Sequence, residues 1–237
     1  VAQKPKSAEM LPGPGFRIRK TIERPPAELV ARYREFDTTD VSDQMNRMYT
    51  MSPDIHRMTL EKDRIVGTAL TVKVFPGDNL MVHKALDVAQ PGDVVVVDTS
   101  SSGNNAVVGD TIANKAMHRG IVAFIVDGLV RDITAVREVG LPMFARGFTP
   151  FGPLHRGPGE LGYSVSCGGV VVDPGDIIVA DDNGVVVVRK GFANEILDRL
   201  DANRVQMRDY LEDVKRGIFS NKWVDDQLGA DKCHFDD

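Results

Sequence analysis

The sequence predicts an α/β domain, and three observations predict it. Runs rich in β-branched residues, such as Ile65 to Val74 and Val94 to Val97, alternate with helical stretches, the order that layers helices on a sheet. Gly and Pro punctuate those runs at short intervals, as at Pro91-Gly92-Asp93 and Pro174-Gly175-Asp176. The 237 residues, 42% hydrophobic and 27% charged, suffice for one large domain with a sizeable core and lie far from the composition of disordered chains.

Taken in order, residues 1–25 combine prolines, glycines and lysines without apolar periodicity and read as an extended N-terminal arm. Residues 26–190 read as the α/β domain, entered through two helices. The first is a Pro-started amphipathic segment from Pro26 to Phe36; the second runs from an N-cap at Thr39 to Met48. Ile65 to Val74 is expected to be a strand, Asn79 to Ala89 a helix and Val94 to Val97 a buried strand. A small-residue loop, Thr99 to Asn105, leads to a helix from Thr111 to Arg119 closed by Gly120, and then to an apolar strand, Ile121 to Val126. Short strands follow at Gly168 to Val172, Ile177 to Ala180 and Val185 to Val188. Asp182-Asn183-Gly184 between the last two signals a hairpin turn with positive φ angles. Pro-Gly-Asp before an apolar strand ending in Asp occurs at Pro91 to Asp98 and at Pro174 to Asp181; this reads as a way into a buried strand rather than an internal repeat. Residues 191–237 hold a long amphipathic helix, Phe192 to Val214, and a tail. Such a helix can overhang its domain and dock on a neighbouring subunit, so a homo-oligomer is expected.

Charge and patterning exclude several classes of function. A net charge of −5 leaves no excess of cations for a phosphate backbone, so nucleic acid is not expected as a partner. No apolar stretch approaches the ~20 residues of a membrane span, and the first residues lack a signal peptide's apolar core, so a cytoplasmic protein with no membrane partner is expected. Cys167 and Cys233 make no Cys-x-x-Cys pair and read as free thiols. The five histidines form no His-x-x-x-His pair and are expected in structural or surface roles. The Ser100 to Asn105 stretch lacks the Gly-Lys-Ser/Thr ending of a P-loop and reads as a loop lining the site, and Trp223 reads as packing.

Two short motifs carry the chemistry. At Gly109-Asp110-Thr111-Ile112 a loop gives way to a helix, whose unpaired N–H groups and partial positive charge hold carboxylates well. Arg131-Asp132 follows a buried strand, and in open α/β folds ligands collect beyond the carboxyl ends of strands. Taken alone, the first is a plain helix start and the second a surface ion pair. Consecutive elements put the helix start and the strand end at one edge of the layer, where the two motifs can converge.

Twenty residues separate Asp110 from Arg131, giving Gly-Asp-x20-Arg-Asp. With this spacing the chain resembles the RraA-like family, which includes 4-hydroxy-4-methyl-2-oxoglutarate and 4-carboxy-4-hydroxy-2-oxoadipate aldolases as well as ribonuclease regulators. The resemblance extends to Asp40-Val41-Ser42-Asp43, Gly67 to Val72, Gly77-Asp78-Asn79, Pro91 to Asp98 and Gly168-Gly169-Val170, over about residues 38–190. It implies a swivelling β/β/α domain, here with N-terminal helices and a long C-terminal helix, assembled as trimers or hexamers. It further implies that Asp132 ligates Mg2+ or Mn2+, that Asp110 holds metal-bound water, and that Arg131 holds the pyruvyl carboxylate and oxygen with the backbone of Gly109, Asp110, Thr111 and Ile112. An acid from a neighbour's C-terminal helix completes the family's site; this chain offers Asp209, Glu212 and Asp213 there.

The residue types suit that chemistry. Breaking the C3–C4 bond of a 4-hydroxy-2-oxo acid leaves the enolate of pyruvate, which a divalent cation and a guanidinium stabilise. A base must take the 4-hydroxyl proton, a role that water oriented by Asp110 serves. One carboxylate with water in the remaining positions suits Mg2+ or Mn2+, whereas zinc wants nitrogen or sulfur. Loss of CO2 from oxaloacetate forms the same enolate, so decarboxylase activity is expected beside the retro-aldol cleavage. The alternative is a non-catalytic regulator that docks on a partner, which needs neither half of Gly-Asp-x20-Arg-Asp. No Gly-rich loop suited to S-adenosylmethionine supports a methyltransferase.

Overall fold

The central strands are apolar on both faces because both faces are covered. In the computed structural model, which describes residues 10–60 and 63–234, the strands are β1 (Phe16–Ile18), β2 (His56–Arg57), β3 (Ile65–Val74), β4 (Asp93–Asp98), β5 (Ala106–Val108), β6 (Ala123–Val130), β7 (Met143–Phe148), β8 (Gly159–Leu161), β9 (Val165–Cys167), β10 (Val170–Val172), β11 (Ile177–Asp181) and β12 (Gly184–Val188). The helices are α1 (Ala27–Arg32), α2 (Thr38–Asp43), α3 (Leu80–Val88), α4 (Asp110–His118), α5 (Ile133–Val139), α6 (Ala193–Lys215) and α7 (Lys222–Ala230). Residues 1–9 of the expected arm lie outside the described residues, and within residues 10–25 the chain supplies β1.

Strands β3, β4, β6 and β7 lie side by side in parallel, joined by crossovers through α3, α4 and α5. β8 pairs antiparallel and β1 parallel beyond β3, β2 closes the far edge on β7, and the β11–β12 hairpin adds to β3. Alternation sorts the side chains. Val95, Val97, Phe124 and Val126 face Met81, Val82, Ile112, Ala116 and Val136 of the helices. Val94, Val96, Ile125 and Phe144 face Cys167, Val170, Ile178 and Val187 of the hairpins. The layers are therefore β, β and α, and each fully buried Val contributes about 1.5–3 kcal/mol to the core. Among the described residues no helix is long and apolar enough to cross a membrane.

The two Pro-Gly-Asp sequences build the same entry twice. Asp93 accepts the Gln90 N–H and a fork from Arg24; Asp176 accepts the Asp173 N–H and an ion pair from Arg189. Both aspartates are buried, each held by its own arginine, ahead of strands that run in opposite directions along β3.

Several boundaries differ from the sequence expectation. The second entrance helix starts at Thr38 and ends at Asp43, since Asn46 and Arg47 take left-handed φ angles of 55° and 63°. Strand β6 does not stop at Val126 but runs to Val130, and β5, β7, β8 and α5 were not expected. The β11–β12 hairpin forms, but of its turn residues only Gly184 has a positive φ; the Asn183 N–H is instead held by Asp181. Gly168-Gly169 is the turn between β9 and β10 rather than part of one strand. The long helix begins at Ala193, with Phe192 exposed in a preceding 3-10 turn.

The chain divides into two units, Val1–Leu197 and Asp198–Asp237. The second comprises the remainder of α6 and all of α7, and exposes Val205, Tyr210, Leu211, Ile218, Phe219 and Trp223. Trp223 is thus on the surface and not packed as expected.

Candidate active site

Strand pairing brings the two motifs together. β5 and β6 run parallel, with Val108 opposite Val130, and the Arg131 N–H donates to the Val108 carbonyl at 2.9 Å. Both strands end at the same level, so Gly109-Asp110 and Arg131-Asp132 emerge side by side. Gly109 is the N-cap of α4, and its carbonyl accepts the Ala113 N–H. Its φ of −146° suits any residue; what requires glycine is space. A Cβ there would lie 2.7 Å from Asp132 Oδ2, 3.1 Å from Arg131 Cγ and 3.3 Å from Arg131 Nε. A Cβ on Gly152 would lie 2.7 Å from Arg131 Nη1. Two glycines therefore leave the room that the guanidinium and its neighbouring carboxylate occupy.

Arg131 Nε and Asp132 Oδ2 are 3.1 Å apart, and each side chain is 41% exposed. An ion pair this wet adds little stability, so its value lies in placing a guanidinium and a carboxylate together. Asp132 holds a left-handed backbone, φ 55°, at the start of α5. Such a conformation costs a non-glycine residue roughly 1 kcal/mol, and it turns the Asp132 side chain back toward Gly109.

A cavity of about 210 Å³ opens here, lined by Asn79, His83, Ala106 to Ile112, Arg131, Pro153 and His155. It takes in five of the six residues singled out from the sequence: Gly109, Asp110, Thr111, Ile112 and Arg131. Asp132 stands at its edge through the contact with Arg131. Asp110 is the first residue of α4, where a carboxylate complements the helix dipole. Its Oδ1 accepts the Thr111 N–H at 2.6 Å and the Thr111 hydroxyl at 3.2 Å. The Thr111 N–H is thereby hydrogen-bonded to a carboxylate that itself lines the cavity.

Three lining residues with polar side chains, Asn79, His83 and His155, were not among the site residues read from the sequence. Asn79 is buried; its Nδ2 donates to the Val107 carbonyl at 3.1 Å, and its Oδ1 lies 2.6 Å from His155 Nδ1. The His83 ring meets that of His155 edge-on at 5.7 Å. Burial, reinforced by the positive charge of Lys115 and by His155, pushes the His83 pKa below its ordinary value. A search for His-x-x-x-His spacing finds ligands on one helix and is blind to His83 and His155, which meet through tertiary structure. The signal that was available is Asn79, in the Gly77-Asp78-Asn79 segment already singled out.

Other expected site residues lie elsewhere. None of Ser100 to Asn105 lines the cavity: the Ser100 N–H is held by Asp98, and the Ser101 hydroxyl by Asp127. Asn105 acts indirectly, donating from Nδ2 to the Gly152 carbonyl and tethering the segment beside Arg131. Asp209, Glu212 and Asp213 lie on α6 in the Asp198–Asp237 unit, where Asp209 pairs with Arg208 and Asp213 with Arg216.

Among the described residues, no group of three or more His, Cys, Asp and Glu side chains converges on an ion-sized space. The donors at the site are two carboxylates, Asp110 and Asp132, with Asp132 Oδ2 lying where a side chain on Gly109 would sit. That set fits a hard cation that keeps most of its water, as Mg2+ and Mn2+ do, and does not fit zinc.

The profile of RraA-like proteins, Aldolase/RraA, matches residues 38–187, more than half of the chain. The chain belongs to the RraA-like family. A relative in Halalkalibacterium halodurans, provisionally named a 4-hydroxy-4-methyl-2-oxoglutarate aldolase, is 38% identical over 172 residues, 73% of this chain and 81% of its own. Among solved structures of the RraA-like fold, Streptomyces coelicolor RraAS2, described as an unusual member of the RNase ES inhibitor RraA family, superposes with a TM-score of 0.71 at 28% identity, covering 80% of this chain and 98% of its own. The RNA-processing inhibitor RraA from Thermus thermophilis superposes at 0.60 with 31% identity, covering 65% of this chain and 92% of its own. RraA-like relatives thus include named lyases and named inhibitors.

Proposed function

We propose that the protein is a lyase that splits a 4-hydroxy-2-oxo acid at its C3–C4 bond into pyruvate and a second carbonyl compound, and that the same site removes CO2 from oxaloacetate. The observation that carries this reading is the convergence of Gly109 to Ile112 and Arg131 on one cavity, with the Asp132 carboxylate packed against Gly109.

The residues divide the work. The Arg131 guanidinium presents a planar fork to the substrate's 1-carboxylate and 2-oxo oxygen and stays charged throughout. The start of α4 adds a partial positive charge on the same side. Gly109 and Gly152 keep the guanidinium unobstructed, and Asp110 orients water beside it. Asp132 would hold Mg2+ or Mn2+, which supplies Lewis-acid stabilisation of the charge developing on the 2-oxo oxygen. The reading includes a homotrimer or homohexamer, in which an acid of α6, Asp209, Glu212 or Asp213, completes a neighbour's site. The exposed apolar residues of the Asp198–Asp237 unit support it.

The test is pyruvate release. With Mg2+ or Mn2+ the protein should release pyruvate from oxaloacetate and from a 4-hydroxy-2-oxo diacid, and EDTA should abolish both activities. No pyruvate from a panel of such acids would refute the lyase and leave a binding regulator, as in the relatives named for inhibition.

A further inference from the structure

We propose that His155 takes the proton from the substrate's 4-hydroxyl, through an Nε2 lone pair that Asn79 keeps free of hydrogen. The assignment rests on the lyase reading above and replaces the Asp110-oriented water to which the residue types alone give this step.

The argument begins in β5. The β5–β6 register shifts between Ala106 and Val108; the Val108 carbonyl takes the Arg131 N–H of β6, and the buried Val107 carbonyl needs a donor of its own. Asn79 Nδ2 supplies it at 3.1 Å. A carbonyl only accepts, so the amide nitrogen of Asn79 must face Val107 and its oxygen must face His155. That oxygen, 2.6 Å from His155 Nδ1, also only accepts, so Nδ1 carries the hydrogen. A neutral imidazole protonated on Nδ1 has its lone pair on Nε2. A buried backbone carbonyl thus sets the tautomer of a cavity-lining histidine through one amide.

The placement suits the reaction. Gly152 lies against Arg131 Nη1, and His155 follows three residues later, a span of at most about 10 Å. A 4-hydroxy-2-oxo acid clamped by its 1-carboxylate at Arg131 carries its 4-hydroxyl about 5 Å along the chain, on bond lengths near 1.5 Å. Arg131 and His155 line the same cavity of about 210 Å³, which puts the clamp and the base on one space. The charged and titratable groups around His155 are His83 from α3 with Lys115 of α4 beside it, Asp78, which takes the Arg156 N–H, Arg156 itself, and Asp110 and Arg131 in the same cavity. Burial and the Lys115 charge disfavour a second positive charge on His83 beside the imidazolium that forms.

The step balances. His155 Nε2 accepts the hydroxyl proton as the C4–O bond becomes C4=O and the C3–C4 bond breaks, its electron pair passing into the C2–C3 enolate. The enolate carbon then takes a proton from solvent and the imidazolium returns one, so none is consumed. Decarboxylation of oxaloacetate reaches the same enolate without a hydroxyl proton to remove. The two reactions therefore separate a base from every residue that serves the enolate.

His155→Asn keeps an N–H for Asn79 Oδ1 and removes the base. With Mg2+ or Mn2+, its kcat for retro-aldol cleavage should fall about 10²- to 10³-fold, KM and the decarboxylation kcat staying within about threefold. Equal losses in both reactions would mean a structural role, and an unimpaired retro-aldol rate would mean a bystander; either overturns the assignment alone. Wild-type protein inactive on both substrates would overturn the lyase reading and the assignment with it. In 15N-histidine-labelled protein, the neutral form of His155 should show hydrogen on Nδ1 and none on Nε2, and the opposite tautomer overturns the proposal without any activity measurement. Asn79→Ala, a change in a positioning residue, should let the two tautomers mix in the same spectrum and lower retro-aldol kcat about tenfold while sparing decarboxylation.

Discussion

A single methyl group at Gly109 tests the site without removing any of its charges. In Gly109→Ala the new Cβ would meet Asp132 Oδ2 at 2.7 Å, where ordinary contact is 3.4–4 Å, and Arg131 Cγ and Nε at 3.1 and 3.3 Å. The backbone at φ −146° accepts alanine, so the strain is carried by those contacts. Relief requires the carboxylate to move by at least about 0.7 Å, and Arg131 with it. Both side chains are 41% exposed and can swing toward solvent, which limits the stability cost to about 0.5 kcal/mol. A misplacement of about 1 Å in a positioned group costs about 10²-fold in rate. Gly109→Ala should therefore lose about 30- to 100-fold in kcat while its Tm stays within about 2 °C. Pyruvate release coupled to lactate dehydrogenase, followed by NADH absorbance, measures the first, and a thermal melt the second. A rate within threefold of wild type would show that Arg131 and Asp132 are not where the chemistry happens. A Tm loss above about 5 °C would show that the two side chains cannot yield, and would refute the reasoning from the other direction.

Three further outcomes are expected. Asp132→Asn keeps a side chain that tolerates the left-handed φ of 55°, so stability should hold within about 0.5 kcal/mol while Mn2+ binding, followed by calorimetry, is lost; unchanged affinity would remove Asp132 as a ligand. Tyr33 is fully buried and its hydroxyl donates to the Ala193 carbonyl at 2.6 Å, so Tyr33→Phe should cost about 1–2 kcal/mol in urea unfolding, and a loss below about 0.3 kcal/mol would contradict it. Burial pushes the Asp181 carboxyl up, but the Thr38 hydroxyl and N–H and the Asn183 groups that bond it outweigh this and hold its pKa below the usual range. A carboxylate with a depressed folded pKa stabilises the protein above its unfolded value of about 3.9, and that stability is lost as pH falls through the folded value. Thr38→Val should therefore destabilise at pH 7, with the gap to wild type closing below about pH 4; a gap of constant size at pH 7 and pH 3 would sink the linkage.

Elements whose signal is local were legible. β3 spans the expected Ile65 to Val74, and α3 lies within Asn79 to Ala89, because an unbroken apolar run and a helical period are written in consecutive residues. β5 was not legible: Ala106 to Val108 is a strand only because β6 is beside it. The end of β6 was misplaced for a related reason. Asp127 resembles the first charge of a loop, yet it is buried within the strand, held by Arg146 Nε at 2.5 Å, the Ser101 hydroxyl and the Gly168 N–H. Three distant segments provide those partners, and a buried carboxylate without them would be prohibitive.

The sequence by itself determined the α/β layering and the two motifs of the site, since each rests on the order of residue types along the chain and on a fixed spacing. Only the tertiary structure decided which atoms share the cavity. It moved Ser100 to Asn105 out of the cavity, brought in Asn79, His83 and His155, and showed that Gly109 is required by the Asp132 carboxylate rather than by its own φ angle. The physical reason is that a hydrogen bond or a steric limit joins two places in the chain, as Asn79 joins Val107 to His155, and no single stretch of sequence contains both partners.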